Sequence, residues 1–409
     1  MKKSRRKFLK DSGIIVGGLV CASQSAHASH KLDDKAQFKS SEPKDLVICV
    51  FQRGGADGLH SIVPHGDANY FQHRPTLAVN NSINLDGFFG LNPNLSALKP
   101  IWDKGDLGIV HAVGNPSDSR SHFDAQDQME YSDLNGGNFR LGWLAKYLEN
   151  TVSENDTVFR SVSLNQSIQK AIKGDVEAIT LSNLNGFDLH TYEGLYTDTL
   201  NTIESIYQND AIYDETSHLL ITAIDTLKNI NPNDYPVDNG AIYENTSFAN
   251  KLKNLGVIIK ADLGAEIACV DIGGWDHHNN IENAYPGLAS QFANGLQAFY
   301  QDMGDRMENI TILCMTEFGR RVGENASNGL DHGHAGVMYA IGKQVNGGQV
   351  YTQWPGLAET DLNRGDLEVS TDFREIFAEL LVKRLKLQDD ISTIIPDFDY
   401  LGGIGLFKS

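Results

Sequence analysis

An α/β fold with a doubly wound, mostly parallel sheet flanked by helices is what this sequence predicts, on three observations. Four short apolar runs have strand length: Leu46–Gln52, Leu107–Val113, Glu266–Ile272 and Ile310–Thr316. Longer amphipathic stretches with helical spacing, such as Phe123–Ser132, Ala289–Asn309 and Phe373–Leu385, alternate with such runs, and that alternation implies a parallel sheet. Each run ends in a loop rich in Gly, Asp, His or Ser. In sheets of this kind ligands bind beyond the carboxyl ends of the strands, so the polar loops are where a site is expected.

The chain begins as an export signal. Ser4-Arg5-Arg6-Lys7-Phe8-Leu9-Lys10 carries the paired arginines and flanking residues of a twin-arginine signal. An apolar run, Ile14 to Ala22, follows, too short for a hydrocarbon core of about 30 Å. Ala26-His27-Ala28 then supplies a cleavage site. The expected organisation is a signal peptide over residues 1–28, a polar linker over 29–44 and one domain over 45–409. Within that domain the stretch of about 150–250 is rich in Asn, Asp, Thr and Tyr, lacks the strand–loop–helix rhythm, and is expected to be a helical insertion or lid. The expected location is periplasmic or secreted, with the twin-arginine translocase as partner during export and no stable membrane anchor.

The 409 residues are 41% hydrophobic, enough for a large core, and carry a net charge of -19. Residues 1–28 hold six Lys or Arg and one acid, so the remainder has 28 basic and 52 acidic residues. Such a surface repels phosphate backbones and argues against nucleic acid as a partner. Cys49, Cys269 and Cys314 each lie inside an apolar run, which reads as buried core rather than a disulfide framework.

Five polar clusters stand at the predicted strand ends. Arg53-Gly54-Gly55-Ala56-Asp57-Gly58 turns the chain tightly after the first strand and presents Asp57, although an Asp-Gly turn alone has the same appearance. Ser117-Asp118-Ser119-Arg120-Ser121-His122-Phe123-Asp124 opens a helix, whose unpaired N–H groups would favour an ionised serine and an oxyanion. There Arg120 could clamp an anion. Ser121 with Asp124 equally fits a capping box, which holds the helix and does nothing else. Gly273-Gly274-Trp275-Asp276-His277-His278 places Asp276 and His278 two apart, facing one way in an extended segment, as oxygen and nitrogen ligands for a zinc-type ion. Thr316-Glu317-Phe318-Gly319-Arg320 presents Glu317 directly after a strand. Asp331-His332-Gly333-His334 adds two histidines around a glycine. Carboxylates converging in this number need a cation, and there are ligands enough for two.

The segments Arg53–Pro64, Ser119–Asp127, Gly273–His278, Thr316–Asn325, Asp331–Gly336, Asn346–Leu357 and Ser370–Leu381 resemble those of the domain-of-unknown-function 1501 family. Its members are twin-arginine-exported proteins grouped with the alkaline phosphatase and sulfatase superfamily. The resemblance implies an alkaline-phosphatase-like core with a bimetal site and a hydroxyl nucleophile. It places Asp57 as a bridging metal ligand and Ser119 or Ser121, with Ser121 preferred, as the nucleophile. Asp276 and His278 stand for the ligand pair of one metal, Glu317 lies where many members carry an Asp-His pair, and His332 and His334 stand for a late histidine ligand.

The expectation is therefore a metal-dependent hydrolase of small phosphate or sulfate esters. Two divalent ions, zinc first and manganese, magnesium or calcium as alternatives, would be held among Asp57, Asp276, His278, Glu317, Asp331, His332 and His334. Ser121 would attack and Arg120 would bind the anion. The rival expectation is a non-catalytic exported protein derived from the same fold that binds a metal or a glycan.

Overall fold

The computed structural model describes residues 45–117, 119–136, 140–151, 157–181, 184, 198, 199, 202, 221–387 and 391–409. The expected signal peptide and linker, Asp118, and much of the stretch expected as a lid lie outside the described residues.

The chain enters through β1 (Leu46–Arg53) and a small antiparallel sheet of β2 (Ile62–Val63), β3 (Ile83–Asn84) and β4 (Gly90–Leu91). The large sheet then takes β5 (Leu107–Gly114), β6 (Ser161–Ser163), β7 (Ile179–Thr180), β8 (Ile267–Gly273), β9 (Ile310–Met315), β10 (Gly336–Ile341), β11 (Gln349–Tyr351) and β12 (Thr371–Asp372). The order is β11-β5-β10-β9-β1-β8-β6-β7, with β12 also on β5. Every pairing in it is parallel except those of β10, which runs antiparallel to both β5 and β9. The four strands expected from apolar runs are β1, β5, β8 and β9, each within a residue of its expected ends.

Alternation along β1 sends Ile48 and Val50 into one core and Val47, Cys49 and Phe51 into the other. The first face is covered by the helices Ser247–Lys260 and Ile281–Met303, the second by Trp143–Asn150 and Phe373–Lys383. A sheet buried on both sides is the doubly wound α/β arrangement, and it explains why these strands read as unbroken apolar runs. Trp143 stacks on Phe377 with ring centroids 4.2 Å apart. Cys49 and Cys269 are register partners across β1 and β8, and all three described cysteines are buried free thiols, as expected of core residues.

The stretch 150–250 needs a correction. Residues 161–163 and 179–180 within it form β6 and β7, which extend the sheet beside β8. They are too short for periodicity to reveal; β6 pairs in parallel with β8 and β7 with β6, so they carry the core sheet on to its edge rather than forming a lid. No helix of the described residues is long and apolar enough to cross a membrane.

His111 on β5 is fully buried. Its Nε2–H donates to the Ile62 carbonyl at 3.0 Å, and its Nδ1 accepts the Ala112 N–H at 2.7 Å. Protonation would destroy the second bond, and burial pushes the imidazole down to about 4. Burial likewise pushes His60 down to about 4. Unfolded, both rings take a proton near 6.5; folded, they resist until about 4, so the unfolded chain binds more protons across that window. Their contribution is complete above pH 6.5 and is lost as pH falls towards 4, at up to about 1.4 kcal/mol per pH unit for each ring. Urea unfolding followed from pH 7 to pH 4.5 should show this slope, and His111→Gln should be less stable at pH 7 but lose stability less steeply on acidification. An unchanged slope would remove His111 as a source.

Candidate metal centre

Four loops meet at the carboxyl ends of β1, β5, β8 and β9, and the loop before β10 joins them because that strand runs the other way. The chain permits this by glycines. Gly54, with φ of 118°, lies where a Cβ would stand 2.7 Å from the Asp276 backbone nitrogen. A Cβ on Gly319 would stand 1.8 Å from the Ala335 carbonyl oxygen. The loops after β9 and before β10 are thereby zipped together by Gly319 N–H to His334 O (2.8 Å), Gly333 N–H to Gly319 O (3.0 Å) and Arg321 N–H to Asp331 O (3.0 Å).

Three imidazoles are presented in the same way. His122 Nδ1 lies 2.8 Å from Glu317 Oε1, His332 Nδ1 lies 2.8 Å from the Arg120 carbonyl, and His278 Nδ1 lies 3.2 Å from Asp331 Oδ1. Each partner oxygen can only accept from the ring, so each Nδ1 carries the proton and each neutral ring keeps its lone pair on Nε2. Those lone pairs face one another and Asp276. His332 Nε2 is 3.3 Å and His278 Nε2 3.0 Å from Asp276 Oδ1, and His122 Nε2 is 3.5 Å from Asp276 Oδ2. The two nitrogens of His278 and His332 stand 2.9 Å apart. His122 Nε2 is buried without a hydrogen-bond partner among the described residues.

His122, Asp276 and His332 offer ligand atoms that all lie within 4.8 Å of one another. Facing lone pairs beside a carboxylate need a positive charge between them. A proton satisfies one pair, whereas a cation satisfies all of them, and two imidazoles with a carboxylate suit a zinc-type ion. The residues therefore fit a metal. The acceptors behind the rings are the outer partners that fix ligand tautomers in such centres.

Glu317 is fully buried and accepts from His122, from Gln126 Nε2 (2.8 Å) and from Gly54 N–H (2.9 Å). Burial would raise its carboxyl, but the bonds from His122 and Gln126 outweigh burial and hold it below its usual range. Glu317's bond in turn raises His122, so a proton and a metal compete for that Nε2. Burial, then the charges of Arg320 and His122, lower His332 and favour its neutral, ligating form. Burial acts to raise Asp276, and its bond to Arg320 Nη2 (2.7 Å) brings it below the usual range instead.

Of the seven expected metal residues, the structure brings Asp276 and His332 together with His278 alongside. Glu317 and Asp331 stand behind the rings as hydrogen-bond acceptors. Asp57 does not reach the centre. Both its oxygens are taken by the buried Arg74 (2.6 and 3.1 Å), which already supplies the positive charge a metal would bring. His334 turns away, its Nε2 2.7 Å from the Asn115 carbonyl. Among the described residues one group of three donors, His122, Asp276 and His332, lies close enough to share an ion. Ser121 caps the helix His122–Tyr131, its Oγ accepting the Asp124 N–H at 3.4 Å, and Ser119 Oγ accepts the Ser121 N–H at 3.3 Å. Arg120 lends its carbonyl to His332, and its guanidinium is bonded to the buried Asp366 through Nε and Nη2.

His122 was not foreseen as a ligand. It sits inside a recognised motif, one residue after the helix cap, and only the burial of its partner Glu317 gives it a role.

Purified protein incubated with zinc should retain about one ion per chain by elemental analysis, and Asp276→Ala or His332→Ala should lose it. Glu317→Gln should weaken affinity by about 10- to 100-fold without removing a ligand. Equal zinc retention in all four proteins would rule out this centre.

No curated protein shows a significant match to the chain. Among solved structures it is similar to Ps i-CgsB in complex with k-i-k-neocarrahexaose (10% identity, TM-score 0.38, covering 88% of this chain and 75% of that one). It is also similar to a protein in the alkaline phosphatase superfamily from Vibrio parahaemolyticus (8%, 0.35, 96% and 81%) and to the PsFucS1 sulfatase from Pseudoalteromonas sp. (12%, 0.34, 83% and 67%). The family described as "Protein of unknown function (DUF1501)" matches residues 112–390, a span that holds every residue of the centre, and the chain belongs to that family.

Proposed function

We propose that the protein is an exported, metal-dependent hydrolase of phosphate or sulfate esters. The observation that carries this reading is the convergence of three Nδ1-anchored imidazoles and Asp276 at the carboxyl ends of the strands, the place where such sheets bind ligands. An ion held by His122, Asp276 and His332, zinc before manganese on this donor set, would polarise an ester oxygen as a Lewis acid. Ser121 stands one residue before His122, at the positive end of its helix, where an alkoxide and an oxyanion are both favoured. In the proposed reaction its Oγ bonds to phosphorus or sulfur as the bond to the ester oxygen breaks. The alcohol leaves with a proton, and water then cleaves the serine ester. Glu317 holds His122 in the ligating tautomer, and Gly54 keeps the loops close.

Export by the twin-arginine translocase is part of the proposal and rests on Ser4–Lys10, the apolar run and Ala26-His27-Ala28. That route accepts folded chains and suits a protein loaded with metal beforehand.

One observation favours a metal-binding protein without turnover: the Ser121 hydroxyl serves as the helix cap. Assay of the zinc-loaded protein on 4-nitrophenyl phosphate and 4-nitrophenyl sulfate separates the two. A hydrolase should turn over one of them, and Ser121→Ala should lower kcat about a thousandfold or more with zinc retained. The same change should cost about 1 kcal/mol of stability through the lost cap. Bound zinc with no turnover of either ester would leave the binding reading, and undiminished activity in Ser121→Ala would remove the serine.

A further inference from the structure

We propose that Arg120 and Arg321 form an anion subsite beside the metal centre, so that the substrate carries a second phosphate or sulfate group besides the one cleaved. The inference rests on the hydrolase reading for what is cleaved, but not for what is bound.

Both arginines are held by one carboxylate. Asp366 has no exposed side-chain surface, and Arg120 Nε donates to its Oδ2 at 2.8 Å, with Arg120 Nη2 on the same oxygen. Arg321 Nε approaches Oδ1 at 3.3 Å, while its Nη2 donates to the Arg364 carbonyl. Two guanidiniums on one buried carboxylate leave a positive charge over. Among the described residues Nη1 of each has no hydrogen-bond partner, and the side chains are 34% and 42% exposed. They are fixed in place yet open outward, which is the arrangement that receives a tetrahedral oxyanion.

The pair is built into the walls of the centre. Arg120's carbonyl holds His332 Nδ1, and Arg321's N–H donates to the carbonyl of Asp331, whose side chain holds His278. Asp331's carboxylate shares Arg321's field, but Asn325 (3.0 Å) and His278 (3.2 Å) already engage it. In a chain of net charge -19 the surface opposes an anionic substrate, and a local positive excess next to the ligands reverses that field where it matters. Arg320 does not contribute, since its donors are consumed by Gly54, Gly55, Leu330 and Asp276.

The test uses zinc-loaded mature protein and probes that cannot be hydrolysed. Calorimetry compares methylphosphonate with butane bisphosphonate, and methanesulfonate with butane disulfonate. Arg321→Gln is the variant of choice, because Arg120 still neutralises Asp366; Arg321→Lys tests whether charge alone suffices. In the wild type the doubly anionic probe of one series should bind about tenfold more tightly than its singly anionic partner. Arg321→Gln should erase that ratio while leaving zinc content and the singly anionic probe unchanged, and Arg321→Lys should restore part of it. The series that shows the ratio identifies phosphate or sulfate. Equal binding of one- and two-anion probes in both series, or a ratio untouched by Arg321→Gln, overturns the subsite. Ester turnover without the ratio would keep the hydrolase and discard the subsite, and the ratio without turnover would do the reverse.

Discussion

A single buried carboxylate ties the centre together. Glu317 follows β9, accepts the N–H of Gly54 at the end of β1, and accepts from His122 and Gln126 on the helix that follows β5. Three separate strand ends are therefore fixed relative to one another by one side chain that water does not reach. Buried carboxylates are tolerated only when fully hydrogen-bonded, and Glu317 meets that condition through groups that belong to the site. The position of His122 depends on it, and through His122 the spacing of the remaining donors.

Around that carboxylate, charge is sorted into two kinds of place. Asp57 with Arg74, and Arg320 with the carbonyls of Gly54, Gly55 and Leu330, are interior pairings in which every polar atom has a partner. They hold loops, and they cost too much to open for a ligand. Asp276, at 46% side-chain exposure, and the rings of His278 and His332 lie at the rim, where Asp276 Oδ1 meets both Arg320 and the facing imidazole nitrogens. That asymmetry separates scaffold from site better than residue type does, since both groups draw on the same aspartates and arginines.

The antiparallel strand β10 has a specific consequence. In an all-parallel sheet the segment before a strand lies at the amino ends, away from the site. Because β10 is reversed, the Asp331–His334 segment before it arrives at the carboxyl ends of β1, β8 and β9, and His332 can face Asp276. Glycines at 319 and 333 then allow this segment to pack directly on the loop after β9.

Much of this was legible in the residues themselves. Strands buried on both faces read as apolar runs, so β1, β5, β8 and β9 were visible, and so was the placing of polar clusters at their ends. Asp276, His278 and His332 could be named because their residue types and spacing suit ligation. Periodicity could not show the two- and three-residue strands β6 and β7, nor the direction of β10, because strand direction leaves no mark on a short apolar run. It also could not rank the carboxylates. Asp57 and Asp276 look alike in the chain and each meets an arginine, but Arg74, from 17 residues away, takes both oxygens of Asp57 whereas Arg320 takes only Oδ1 of Asp276. His122 and Glu317, 195 residues apart, became a ligand and its support only when the sheet brought their strand ends together. Residue type decides which chemistry is available, and the tertiary fold decides which of those groups are left unpaired to perform it.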